Sequence, residues 1–246
     1  MGTTPEGSSR EPLRPSVGVS VLHLFCRVAG ALDAVRIGDA VDHVGEQGGH
    51  VVSVAMLGHK ADVGLVVLGS DLWGQREFQT AVHGAGLVPV ASYVSVTELS
   101  EYAAGIPDAM KQARLYPELP PEGKRAFCFY PMSKRRAADQ NWYSLEFEER
   151  KRLMMGHGAL GRTFHDRILQ LITASTGLDD WEWGVTLFGV HPDDLKDCVY
   201  QMRFDEASAV FAEFGPFYTG VVGDLPEVLS GVAQATGVAP TAGSPG

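Results

Sequence analysis

The feature that most constrains this chain is a succession of hydrophobic patterns that occurs twice in the same order. Residues 17–28 alternate as a strand, and within 31–47 Leu32, Val35, Ile37, Val41 and Val44 fall at helical spacing. Gly48 and Gly49 stop that helix. Residues 50–58 and 62–69 read as two strands joined by a short turn, 73–85 as a second helix and 87–96 as a fourth strand. A connecting helix near 97–113 and a proline-rich loop, YPELPPEG, follow. The order then returns: strand 125–132, helix 145–165, strands 167–175 and 181–190, helix 193–213, strand 216–222. Asp179 and Asp180 supply a hairpin turn, and residues 191–194 cap the following helix.

Two βαββαβ runs predict an α+β fold of tandem ferredoxin-like units, the dimeric α/β-barrel type. Their sheets either pack face to face or close into a barrel with helices outside. The halves share a pattern and almost no sequence. Residues 16–113 make the first unit with its connecting helix, 114–124 a loop, 125–224 the second unit, and 225–246 a C-terminal segment and tail. Gly, Ser, Thr, Pro and charge mark 1–15 and 239–246 as disordered tails. A length of 246 residues suits two small cores as well as one large one.

A net charge of −10 opposes a general role on nucleic acid or an anionic membrane, so any anion site is local. No apolar run is long enough to span a bilayer. The early run VGVSVLHLFC is interrupted by His23 and followed by Arg27, and it alternates, which favours a strand over a secretion signal. Cys26, Cys128 and Cys198 form no CxxC and are odd in number, which fits a reducing, cytoplasmic setting. GxSxG, GxxxxGK[ST], HExxH and a strand-to-helix GxGxxG do not occur, which disfavours nucleotide-loop enzymes and the motif-bearing hydrolases.

Two stretches carry chemistry. In LMMGHGALGR, His157 lies on a helix between Gly156 and Gly158, each costing up to about 1 kcal/mol against alanine. Such a histidine is either a satisfied surface or core residue or, with soft apolar neighbours and bare backbone beside it, a ligand to a haem iron. In FCFYPMSKRR, Tyr130 and Met132 alternate along a strand that runs into Lys134, Arg135 and Arg136, and with Lys124 and Arg125 these fall in an acid-free stretch, 124–138. That is either a solvated basic loop or a site for a ligand with several carboxylates, each charge-assisted bond contributing roughly 1.5–3 kcal/mol.

YPMSKRR, NWY at 141–143, EERKRLMMGHGALGR, GLDDWEWGVTLF and MRFDEASAVFAEFGPFYTG, in that order, resemble the coproheme decarboxylases of the chlorite dismutase superfamily, in the type typical of Firmicutes. The resemblance covers most of 100–222 and weakens over 17–97. It implies a chlorite dismutase-like homopentamer that uses hydrogen peroxide to decarboxylate two propionates of Fe-coproporphyrin III (coproheme) to vinyls, giving haem b. Coproheme would be substrate and cofactor at once, and the coproporphyrin ferrochelatase a partner. By the same resemblance His157 is the axial iron ligand, Tyr130 the redox-active tyrosine, and Lys134 the residue that fixes a propionate for the second decarboxylation. Arg114 in ARLYP and Ser208 hold other propionates, Met132 lines the site, and Glu206 stands behind His157. The loop from Arg114 to Tyr130 is about two residues longer than the family pattern. Gln170, a neutral amide where dismutases carry arginine, favours a decarboxylase over a dismutase. A chlorite dismutase-like haem peroxidase and a non-catalytic haem carrier remain as other readings.

Overall fold

The computed structural model describes residues 10–103 and 105–236. Residues 239–246 and most of the expected N-terminal tail lie outside the described residues. In chain order the elements are β1 (Ser20–Val28), α1 (Ala34–Glu46), β2 (His50–Leu57), β3 (Val63–Gly69), α2 (Leu72–Gly84), β4 (Leu87–Thr97), α3 (Asp108–Leu115), β5 (Ala126–Lys134), a two-residue pair β6 (Arg136–Ala137) and β7 (Gln140–Asn141), α4 (Phe147–Arg162), β8 (Ile168–Ala174), β9 (Trp183–Gly189), α5 (Pro192–Met202), α6 (Glu206–Ala209), β10 (Ala212–Phe214), β11 (Tyr218–Val222) and α7 (Leu225–Thr236).

Hydrogen-bonded neighbours run β5, β11, β2, β3, β1, β4, β8, β9, and β9 pairs back to β5, so eight antiparallel strands close into a barrel. Each unit contributes four strands in ferredoxin-like order, β2-β3-β1-β4 and β8-β9-β5-β11. The seams are β4 on β8, through Val96↔Ala174 and Thr97↔Thr173, and β11 on β2. At the second seam a Cβ on Gly220 would sit 2.5 Å from Ala55 O, so only glycine lets the two backbones approach.

Strand alternation sorts side chains into a barrel interior and two outer cores. Val21, Phe25, Val66, Phe127, Phe129 and Phe188 point inward. Leu22, Leu24, Cys26, Val63, Leu65 and Val67 point outward under α1, α2 and α7. In the second unit Cys128, Tyr130, Val185 and Leu187 point outward and meet Leu195 and Cys198 of α5. With both faces covered, these strands read as nearly continuous apolar runs.

Three expectations need correction. The connecting helix over 97–113 is not one helix: β4 runs to Thr97 and α3 begins only after Pro107, which fixes its own φ and biases the preceding residue away from helical geometry. The single helix over 193–213 breaks after Met202 into α5, the four-residue α6 and strand β10, which pairs with residues 132–134 of β5. β5 continues to Lys134 instead of ending at 132, so the basic stretch begins on a strand. Residues 10–15 form no element, yet Leu13 exchanges backbone bonds with Asp71 Oδ1 and Leu72 N at the start of α2.

Candidate functional site

Helix α4 opens with Glu148 and Glu149, which complement its N-terminal dipole, and Glu149 pairs with Arg152 at 2.7 Å. Of its sixteen residues only Leu153 is fully buried, and its main neighbours are α5 and α6 instead of a strand. A helix so polar has little apolar surface to hold it against the sheet. It therefore stands off the outer face of the second unit, where Ile172 of β8 stays 44 % exposed.

His157 projects from this helix. Its Nδ1 lies 2.8 Å from Asp205 Oδ2 and 3.4 Å from Ser208 Oγ. With Nδ1–H donating to the carboxylate, the lone pair is on Nε2, which has no hydrogen-bond partner among the described residues. Burial pushes the His157 pKa below 6.5 and the Lys134 charge adds to that, against the pull of Asp205, so the ring is neutral at pH 7. A Cβ on Gly156 would come no closer than 4.0 Å to Asp205, and one on Gly158 no closer than 3.5 Å to Arg162, which leaves bare helix beside the ring.

Lys134 is only 7 % exposed. Its Nζ donates to Ala207 O at 2.9 Å and lies 4.2 Å from the centre of the Trp142 ring. The backbone N–H of Lys134 donates to Glu182 Oε2 at 2.7 Å. Burial lowers its pKa to about 8, opposed by Asp205 and Glu182. One ammonium thus ties β5 to α6, the segment that supplies Asp205 and Ser208.

Tyr130 shares the outer face of β5 with Lys134, at 7 % exposure. Its ring stacks on Phe217 at 4.5 Å and meets Phe214 edge-on at 5.7 Å. Burial raises its pKa above 10, and Cys128 and Cys198 add to the rise, so the phenol keeps its proton. The single buried side-chain polar atom without a partner among the described residues is His23 Nδ1, so the Tyr130 hydroxyl, which makes no hydrogen bond among them, is not fully sealed from solvent. Met132 packs at the margin of the same core. Gln170 is exposed on β8, its Nε2 3.5 Å from Gly161 O on the last turn of α4 and 4.0 Å from Cys198 Sγ.

Other expected residues lie elsewhere. Arg114 is exposed on α3 and has no ion pair or hydrogen bond to the His157 group. Ser208 is behind the imidazole, on the Nδ1 side, and so faces away from whatever approaches Nε2. Glu206 pairs with Arg152 at 3.0 Å; the acid behind His157 is its neighbour Asp205. The acid-free stretch does not act as one patch, because Arg125 pairs with Glu227 on α7 and Arg135 with Glu213 on β10. Sequence reasoning missed Asp205, Trp142 and Glu182. Two adjacent acids in RFDEAS look alike until the break before α6 turns one of them inward.

The described residues hold no cluster of three or more His, Cys, Asp or Glu side chains fit for a metal ion. A metal on His157 Nε2 would have to bring its remaining ligands with it. The family model for chlorite dismutase matches residues 33–223. The chain belongs to the chlorite dismutase family. A structure of a haem-binding protein from Thermus thermophilus is similar at a TM-score of 0.79 and 33 % identity, covering 88 % of this chain and 96 % of that one. A chlorite dismutase from Candidatus Nitrospira defluvii, bound to imidazole, has a TM-score of 0.73 at 21 % identity over 89 % and 97 % of the two chains, a likeness of fold. A protein from Natronomonas pharaonis named as a putative haem-binding protein is 45 % identical over 192 residues, 71 % of this chain. The chain spans 31 % of that relative's length. This family fold confirms the tandem-unit barrel expected from the pattern. No helix among the described residues is long and apolar enough to cross a membrane.

Proposed function

We propose that this family member binds an iron porphyrin between α4 and the outer face of β5, β8 and β9. We infer that it oxidatively decarboxylates two propionates of Fe-coproporphyrin III with hydrogen peroxide, giving haem b. The observation that carries the reading is the neutral, Asp205-anchored imidazole of His157, whose free Nε2 projects from a helix standing off an apolar sheet. A macrocycle is the metal carrier that fits, since it supplies the ligands that the protein lacks there. Two relatives described as haem-binding support the same ligand class.

Bound iron, with peroxide as oxidant, would supply the oxidation of the Tyr130 phenol. Tyr130 keeps its hydrogen at pH 7 until it is oxidised, because burial holds its pKa high. It then takes a hydrogen atom from the propionate side chain. Each propionic acid group and one peroxide give one vinyl, one carbon dioxide and two waters. Lys134, charged below about pH 8, would offer a cation to a carboxylate from the same outer face of β5, four residues along from Tyr130. Asp205 fixes the ring of His157 and its tautomer. Gln170 offers a neutral donor for peroxide, with no fixed charge to hold an oxyanion. A homopentameric, cytoplasmic state and supply of coproheme by a ferrochelatase belong to the same proposal.

The test mixes the protein, coproheme and peroxide and reads the porphyrin by mass spectrometry. Loss of two carbon dioxides is expected. A haem carrier is the second reading, favoured by the relatives' descriptions, and it would leave the porphyrin mass unchanged.

A further inference from the structure

Cys128 and Cys198 have no part in the chemistry above, yet both lie in the core that holds Tyr130. Cys128 precedes Tyr130 by two residues on the same outer face of β5, which sets their backbones roughly 7 Å apart at the ordinary strand rise. Cys198 descends from α5 onto that face, and its sulfur reaches within 4.0 Å of Gln170 Nε2 on β8. Both are free thiols, and they are 6 % and 2 % exposed. Cys26, the third free thiol, belongs to the outer core of the first unit, under α1 and α2.

Burial raises the pKa of Cys128 to about 12 and that of Cys198 to about 11. Peroxide attacks thiolates, so protonated buried thiols resist it directly. An intact S–H bond is instead a source of hydrogen atoms for a phenoxyl radical, and the bond is present here because the thiols are protonated.

We propose that Cys198 and Cys128 form a hydrogen-atom sink for oxidised Tyr130, drawing off oxidising equivalents that do not reach a propionate. This rests on the peroxide-dependent reading of the site. In the first step the Cys198 S–H bond breaks and a Tyr130 O–H bond forms, so the phenol is restored and the radical moves to sulfur. A second equivalent removed from Cys128 in the same way leaves the two sulfurs to join. Over both steps one hydrogen peroxide and two thiols give one S–S bond and two waters. The sink spares the porphyrin and the aromatic core, at the cost of two thiols.

The experiment treats full-length protein with coproheme and stepwise peroxide, then denatures it and counts alkylatable thiols at each cysteine by peptide mass spectrometry. Porphyrin mass is read from the same samples. The expected result is loss of the Cys128 and Cys198 thiols with Cys26 intact, only when coproheme and peroxide are both present. In Tyr130→Phe, a change of one oxygen atom, that loss should fall at least tenfold. The sink is overturned if all three thiols react alike, if peroxide alone suffices, if Tyr130→Phe loses thiols as fast, or if both thiols survive while the porphyrin loses carbon dioxide. Tyr130-dependent thiol loss without carbon dioxide loss would uphold the sink and remove the decarboxylase. Intact thiols with an unchanged porphyrin would remove both.

Discussion

His157 Nδ1 and Asp205 Oδ2 lie 2.8 Å apart, joining α4 to the short turn before α6 across 48 residues of sequence. Asp205 thereby decides which imidazole nitrogen is free. An Asp205→Asn variant keeps the shape but loses the charge, so His157 becomes a weaker base. Iron-porphyrin affinity should fall about 10- to 100-fold, as for other ligating histidines deprived of a carboxylate partner. Asp205→Glu should recover part of it, and porphyrin titration monitored by absorbance reads both. Because burial lowers the His157 pKa, wild-type affinity should decline only at a more acid pH than an ordinary histidine ligand would show.

Tyr130→Phe removes one oxygen from a ring stacked on Phe217 and leaves the packing in place. Porphyrin binding should change less than twofold, while conversion to haem b should fall by three orders of magnitude or more. A variant that still makes haem b at a similar rate would remove Tyr130 from the chemistry.

Lys134→Ala deletes a buried cation from the outer face of β5 and leaves Ala207 O without its donor, while the backbone bond to Glu182 stays. Product analysis should show a three-propionate species accumulating, with fully processed product reduced at least tenfold. In wild type the second step should weaken as pH rises through about 8, where the ammonium discharges. An unchanged product profile in Lys134→Ala would count against the assignment.

His23 tests the barrel apart from any ligand. Its Nε2 meets Thr186 Oγ1 at 2.8 Å, while Nδ1 is buried without a partner among the described residues. His23→Leu or Thr186→Val alone strands a buried polar group and should cost about 1–3 kcal/mol, whereas the double variant should be nearer wild type. Burial lowers the His23 pKa to about 3, so the folded chain binds fewer protons than the unfolded one between pH 6.5 and 3. Stability from this group is therefore present above pH 6.5 and lost as pH falls toward 3, at up to about 1.4 kcal/mol per pH unit. Denaturant midpoints across that range, compared with the double variant, measure it.

The sequence by itself determined the two βαββαβ units, because short apolar runs bounded by turn residues mark the strands and period 3.6 marks helices such as α1, and both are local features of the chain. It also marked His157 by its flanking glycines and Tyr130 by the cations that follow it, while only the family resemblance separated Lys134 from those cations. The tertiary structure decided the closure of two sheets into one barrel, since the β4–β8 and β11–β2 seams join strands that no local pattern relates. It also decided the break after Met202, where neither glycine nor proline lies between 202 and 214 to announce it. There the pairing of β10 with β5, the Lys134–Ala207 bond and the Asp205–His157 contact outweigh a continuous helical pattern. Which of two adjacent acids faces His157, and which cations of 124–138 are already paired, follow from distances between segments far apart in sequence, and periodicity carries no record of those.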